Sequence, residues 1–224
     1  MIIAIDGPAG SGKSTVSKML AVRLGAKHLD SGAMYRALAF ACLRENVDNS
    51  DEKAVLALFS RTRIDQAIAD GKQRVTINDV DAAEAIRTPE VTDAVPPLAA
   101  MPSVRARMRT RQRAFAPRKP DEILVAEGRD MTTVVFADAD VKIYLDASSS
   151  VRAARRHKEL LEKGIDIDVE ELTRRIEERD KSDIHREVGP LKIGDNAVVV
   201  DTTDMSREDV VDRLYNEVRR KRKS

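Results

Sequence analysis

Near its start the chain carries Gly7-Pro8-Ala9-Gly10-Ser11-Gly12-Lys13-Ser14-Thr15, a glycine, four residues and then Gly-Lys-Ser. Glycines at this spacing let successive backbone N–H groups turn inward and cradle phosphate oxygens. The lysine can then reach the outer phosphates, and the serine hydroxyl can ligate Mg²⁺. The setting agrees: the apolar run Ile2-Ile3-Ala4-Ile5 ends at Asp6 before the loop, and an amphipathic pattern begins at Lys13. Strand, loop and helix N-terminus in that order distinguish a phosphate site from a chance glycine-rich turn.

Two more clusters carry charge at strand-to-helix junctions. Asp30-Ser31-Gly32-Ala33-Met34-Tyr35-Arg36 follows the short run Lys27-His28-Leu29. Its carboxylate can serve a metal or water, and Arg36 can hold a phosphate through two parallel hydrogen bonds. The plainer alternative is a helix cap at Asp30 or Ser31 with Arg36 solvated. Glu127-Gly128-Arg129-Asp130 follows Ile123-Leu124-Val125-Ala126 and offers a second arginine clamp with an acceptor beside it; a surface ion pair is its plainer reading. Two clamps opposite a phosphate loop imply that a second phosphate is bound besides the triphosphate. A guanine-nucleotide switch needs no such pocket and carries an Asn-Lys-X-Asp loop. The asparagines here, at 46, 49, 78, 196 and 216, fit none.

Residues 150–187 hold Arg152, Arg155, Arg156, Arg174, Arg175, Arg179, Asp183 and Arg186 in two charged helical stretches joined near Gly164. Acids and bases roughly cancel there, as in a solvated hairpin. Yet phosphoryl transfer spreads charge over equatorial oxygens that arginines neutralise, and a closing lid would exclude water as a competing acceptor. The alternating Arg105, Arg107, Arg109, Arg111 and Arg113 suggest nucleic acid at first sight. On a helix they split between faces, and with no Trp, three Tyr and four Phe there is little to stack a base. The basic end Arg219-Arg220-Lys221-Arg222-Lys223 suits the negative pole of a closing helix.

The elements that must position these groups alternate. Strands are expected at 2–6, 27–30, 123–126, 141–145 and 197–200. Helices are expected at 13–24 (closed by Gly25), 32–45, 51–60, 103–115, 148–163, 168–180 and 206–221. Residues 63–80 read as a hairpin turned at Asp70-Gly71, and Pro89, Pro96, Pro97 and Pro102 punctuate short helices. Such alternation implies a parallel sheet with right-handed crossovers and ligands at the carboxyl ends of its strands. The 224 residues suffice for one α/β domain with insertions, 42% apolar and 34% charged, and the net charge of +1 gives no bulk attraction to nucleic acid. One cysteine, Cys42, within an apolar pattern, excludes an intrachain disulfide; three scattered histidines give no zinc spacing. No apolar run reaches membrane-spanning length and no basic leader precedes the first strand, so a cytoplasmic location and a monomer without membrane or nucleic-acid partners are expected.

With these residues assembled, the chain resembles the bacterial cytidylate kinases over nearly its whole length. Residues 5–15, Leu-Asp-Ser-Gly-Ala-Met-Tyr-Arg (29–36), Ile-Arg-Thr-Pro-Glu-Val (86–91), Glu-Gly-Arg-Asp-Met-Thr-Thr-Val-Val-Phe (127–136), 141–148, Glu-Arg-Asp-Lys-Ser-Asp (178–183) and Val-Val-Asp-Thr-Thr (199–203) carry the likeness. It implies a three-layer α/β phosphate-loop fold with a five-stranded parallel core sheet, core about 1–60, 121–150 and 190–224. A nucleoside-monophosphate-binding insert would span about 61–120 and a helical lid about 151–189. It implies ATP, with Mg²⁺ on Ser14, held by Gly7, Pro8, Ala9, Gly10, Ser11, Gly12, Lys13, Ser14 and Thr15, and transfer of its phosphoryl group to CMP or dCMP. The acceptor would be bound by Asp30, Ser31, Tyr35, Arg36, Arg105, Arg129, Asp130, Arg179, Asp183 and Arg186. Lys13, Arg36, Arg129, Arg155 and Arg156 would serve the chemistry. UMP, AMP, shikimate or dephospho-coenzyme A are alternative acceptors; a nucleotide-binding regulator or RNA-binding module is the alternative from another class. Three positions depart from the family pattern: Pro96 where a serine commonly helps recognise cytosine, Thr132 for a usual glycine, and Ala137 for a usual proline. The last two are expected to alter loop stiffness rather than chemistry.

Overall fold

In the computed structural model, residues 1–69, 71–162 and 164–223 are described, Lys223 by its backbone alone. Strand β1 (Ile2–Asp6) enters the phosphate loop, α1 (Lys13–Leu24) follows and closes on Gly25, and β2 (Lys27–Asp30) leads into α2 (Ser31–Arg44). Helix α3 (Glu52–Arg61) precedes β3 (Ile64–Ala69), β4 (Lys72–Ile77) and β5 (Val80–Asp81). Helices α4 (Pro89–Asp93), α5 (Val95–Ala100) and α6 (Pro102–Arg113) each carry proline in the first turn, where no intrahelical N–H is required. Strand β6 (Leu124–Gly128), one π-type turn over Met131–Val135, β7 (Val141–Asp146), α7 (Ser149–Leu161), α8 (Val169–His185), β8 (Val198–Asp201) and α9 (Arg207–Lys223) complete the chain.

The core sheet runs β2-β6-β1-β7-β8 with every pairing parallel, the five-stranded α/β architecture expected from the alternation. Its central strands are covered on both faces, so they read as unbroken apolar runs. Alternate residues still serve different layers. Ala4, Leu29, Leu124 and Ala126 join Met34, Leu38, Phe59 and Phe136 on one face. Ile3, Ile5, Val125, Ile143 and Leu145 join Leu20, Val211, Leu214 and Val218 from α1 and α9 on the other.

The expected hairpin is a three-stranded antiparallel sheet, β3-β4-β5; the sequence pattern missed β5, which is two residues long. Its turn residue Asp70 lies outside the described residues. This small sheet is joined to the large one by a side chain: the Gln66 amide accepts from Asp30 N (2.9 Å) and donates to Asp30 O (2.8 Å), imitating a neighbouring strand at the edge of β2. Helices α7 and α8 share a separate small core of Ala153, Leu160, Leu172 and Ile176. Helix α7 ends at Leu161, short of the expected 163. Gly164, with φ of 74°, closes it through bonds from Gly164 N to Leu161 O and from Ile165 N to Leu160 O. Helix α8 runs on to His185 rather than stopping at 180, since neither glycine nor proline intervenes before Gly189. Among the described residues no helix is long and apolar enough to cross a membrane.

Candidate active site

The loop from Gly7 to Thr15 wraps the end of β1. A side chain on Gly7, at φ of 153°, would collide with the Leu145 carbonyl oxygen, so the loop can seat against β7 only with glycine there. Lys13 Nζ donates to Pro8 O (2.6 Å) and to Ser11 Oγ (3.3 Å), its stem buried. Burial pushes its pKa down to about 7, and the neighbouring charge of Arg129 adds to this. A pocket that resists a bare ammonium is one where an incoming phosphate is the natural counter-charge. Beside it, Ser14 Oγ donates to Glu127 Oε2 (3.0 Å). Burial raises the Glu127 pKa to about 7, helped by the charge of Asp30, and its Oε1 has no hydrogen-bond partner among the described residues.

A hydroxyl and a buried carboxylate with a spare oxygen fit a hard cation such as Mg²⁺, which prefers one or two protein oxygens and takes the rest from phosphates and water. Among the described residues no group of three or more His, Cys, Asp and Glu forms a metal cage.

At the tip of β2, Asp30 takes the capping place its position suggested and also pairs with Arg36. Oδ1 caps α2 by accepting from Ala33 N (2.8 Å), and Oδ2 pairs with Arg36 (3.2 Å). Burial alone would raise its pKa; Arg36, the Ala33 N–H and His28 outweigh that and lower it. Arg36 is thus held on the first turns of α2 rather than solvated, with Ser31 buried beneath it against Gly128. After β6, Arg129 Nε donates to Asp183 Oδ2 (2.8 Å) from α8, and Arg186 lies 3.7 Å from the other Asp183 oxygen while also donating to Gly189 O. Asp130 forms a buried ion pair with Arg105, which donates to Ala99 O as well (3.2 Å) and stands over the Tyr35 ring at 6.0 Å. Burial raises the Asp130 pKa in spite of Arg105 and Arg186. Residues scattered from 30 to 186 thus meet at the carboxyl ends of β2 and β6.

The arginines of α7 and α8 divide. Arg179 sits among Arg129, Arg36 and Arg156, and desolvation together with those charges lowers its pKa. Arg156 reaches Glu159 (3.1 Å) and stays half exposed. Arg155 donates to Thr202 Oγ1 (3.2 Å) and Thr202 O (2.6 Å) at the exit of β8, away from the paired Asp183 and Asp130.

Arg152, which the sequence only groups with the other arginines of 150–187, has a definite place in the structure. It is buried and donates to Ala147 O (2.9 Å) and to Ala9 O of the phosphate loop (2.9 Å), and it pairs with Asp180 of α8 (2.6 Å). Four of the five alternating arginines of α6 are likewise engaged by the protein's own groups, Arg105 buried and Arg107 and Arg113 at the surface. Besides Arg105, Arg107 and Arg111 donate to the Leu56 and Phe59 carbonyls of α3 and stand over the Phe59 ring. Arg113 bonds Val135 O and Asp138. Pro96 lies on the exposed first turn of α5, and Cys42 is buried with its thiol pushed up to about 11 by burial, helped by Glu45.

The family model described as cytidylate kinase matches residues 3–220. The cytidylate kinase of Oceanobacillus iheyensis is 44% identical over 216 residues, covering 96% of this chain and 93% of that protein. The cytidylate kinase of Pseudomonas aeruginosa PAO1 is 44% identical over 221 residues, 98% of this chain and 95% of its own. Among solved structures, a gluconokinase from Sinorhizobium meliloti 1021 matches 97% of this chain and 91% of its own at 18% identity and a TM-score of 0.46.

Proposed function

The chain belongs to the cytidylate kinase family, and from that premise we propose that it transfers the γ-phosphoryl group of ATP to CMP and dCMP, releasing ADP and the cytidine diphosphate. The observation that carries this reading is a pair of facing cationic clamps. Lys13 lies on the donor side, Arg36, Arg129 and Arg179 on the acceptor side, and Lys13 and Arg129 are close enough to depress the lysine's pKa. One triphosphate needs only the first clamp.

The chemistry asks for position and charge rather than a strong base, because the acceptor oxygen is already anionic. That oxygen forms the new bond to the γ-phosphorus as the bond to the β–γ bridging oxygen breaks, and ADP leaves with the electron pair. Lys13 meets the donor phosphates, Arg36 and Arg129 orient the acceptor, and Arg156 and Arg179 add positive charge from the lid side. Mg²⁺, when bound, neutralises phosphate charge; Ser14 and Glu127 are the residues that would hold it. Arg105 and Asp130, a donor and an acceptor side by side, suit the edge of cytosine, and Asp183 suits the sugar. On this reading the β3–β5 sheet with α4–α6 is the monophosphate-binding insert, α7 and α8 are the lid, and the enzyme works as a cytoplasmic monomer.

A coupled ADP-release assay with ATP and Mg²⁺, offering CMP, dCMP, UMP, AMP and GMP separately, tests it. Turnover confined to CMP and dCMP is expected. Comparable turnover of UMP would mean that Pro96 in place of a serine widens base selection. No turnover with any of them would overturn the reading.

A further inference from the structure

Asp6 touches neither phosphate clamp, yet it stands between them. It is the last residue of β1; Gly7 begins the donor loop on one side of it. Its carboxylate accepts at Oδ1 from Met131 N (2.9 Å) and at Oδ2 from Thr132 N (2.7 Å) and Thr132 Oγ1 (2.6 Å). The residues just before those donors are Arg129 and Asp130. One buried carboxylate therefore ties the loop that holds the donor to the loop that holds the acceptor.

Two of the three bonds come from backbone and are open to any residue. The third needs a hydroxyl at position 132, where the family pattern has glycine. Thr132 is 1% exposed, and what makes room for it is Gly194: a Cβ there would stand 2.6 Å from Thr132 Oγ1 and 2.9 Å from Thr132 Cβ, closer than such atoms approach. The hydroxyl and the missing side chain are a matched pair across the segment that follows the lid. The contact gives the expected effect on loop stiffness a definite partner, the Asp6 carboxylate.

We propose that the Thr132 hydroxyl, seated against Gly194, is a positioning group for phosphoryl transfer, holding the Arg129–Asp130 loop in register with the phosphate loop through Asp6. The inference rests on the transfer reaction above for its kinetic consequences, but the Asp6–Thr132 link itself does not. The ionised carboxylate can accept all three bonds, whereas a protonated one has a hydrogen of its own to place among three donors. Burial pushes the Asp6 pKa up to about 6, and the Thr132 bonds oppose that rise. The charged and titratable groups around Asp6 are Asp130 from the acceptor loop, Lys13 from α1 and Tyr144 from β7. Losing the hydroxyl removes a bond that favours the charged form, so the pKa must move further up.

The test compares Thr132→Val, which keeps the volume, with Thr132→Ser, which keeps the hydroxyl, measuring kcat and both KM values from acid to alkaline pH. The valine variant is expected to lose about tenfold in kcat, as for a hydrogen bond to a charged group. The acid limb of its profile should move to higher pH while KM for ATP stays put. Serine should restore both. A Thr132→Val enzyme with the native kcat and acid limb, or a serine variant no better than valine, would overturn the proposal. Carbon NMR of the Asp6 carboxyl without substrate reads the link independently: an unchanged titration in Thr132→Val overturns it even if the wild type proves inactive on CMP. Inactivity of the wild type would instead sink the functional reading alone. Gly194→Ala should lower Tm, and Thr132→Gly in the same chain should recover most of that loss. Additive effects of the two would refute the matched pair.

Discussion

The donor side of the site and the helix pair proposed as its lid are built from different materials. The phosphate loop hangs from β1, whose Ile3, Ala4 and Ile5 have no exposed surface and whose neighbour β6 is buried along its whole length. The pair α7–α8 has four buried apolar residues to itself, with Ile165 and Ile167 beside them, and polar links besides: Arg152 to Asp180, Ser149 to Glu177 (3.0 Å) and, across to the loop after β6, Arg129 to Asp183. Groups that must hold still at the moment of transfer sit on a large apolar foundation. Groups that must arrive and leave sit on a small one, where local opening costs little.

Replacing Lys13 by methionine tests the rigid half most severely. The stem keeps its packing, the charge goes, and kcat should fall by about 10³-fold with little change in Tm. Turnover close to the wild type would mean that the lid arginines, not the foundation, carry the donor charge. Arg152→Met tests the junction between the halves. It leaves Asp180 without its buried partner and frees the Ala9 and Ala147 carbonyls, at a cost of about 3 kcal/mol. Amide hydrogen exchange should rise across α7 and α8 while β1, β6 and β7 keep their protection. Equal deprotection of the sheet would erase the distinction between the two regions.

The last test concerns the foundation under acid, where the effect appears only below neutral pH. His28 is buried on β2, bonded through Nε2 to Ser17 Oγ (2.9 Å), and burial lowers its pKa to about 4. Its ordinary value is near 6.5, so the neutral form is the one the fold favours. Its contribution is full above pH 6.5 and is lost progressively as pH falls towards 4, about 3 kcal/mol in all. Denaturant titrations of the wild type and of His28→Gln should diverge across that window, the variant losing less stability. Parallel curves would show that His28 is not what acid attacks.

The strands, the phosphate loop and the helix order were legible because each leaves a local trace: an apolar run, a glycine spacing, a period near 3.6. Arg36, Arg129 and Asp130 were legible because they follow strands whose carboxyl ends converge. What escaped were long side chains that finish far away in sequence. Helix geometry already spoke against a nucleic-acid stripe on α6, but not for where its arginines go: Arg107 and Arg111 end on carbonyls of α3, a destination with no periodic signature. Gln66 completing the edge of β2, Arg152 joining lid to loop and Arg155 capping the end of β8 are of the same kind. The hydroxyl of Thr132 was visible only as a departure from a family pattern; its meaning needed Gly194 and Asp6 in place.

The strand order has a bearing on how the molecule comes into being. Strand β1 is made first but lies at the centre of the sheet, and its partners are Leu124 onward on one side and Val141 onward on the other. During synthesis the phosphate loop therefore emerges early and stays unseated until most of the chain has followed. Such distant pairings slow folding and leave an apolar strand uncovered in the meantime. The nascent chain must keep Ile2–Ile5 from wrong neighbours while the insert, made in between, is free to assemble its own hairpin. The ability to hold a nucleotide should appear abruptly and late, once β7 has joined the sheet.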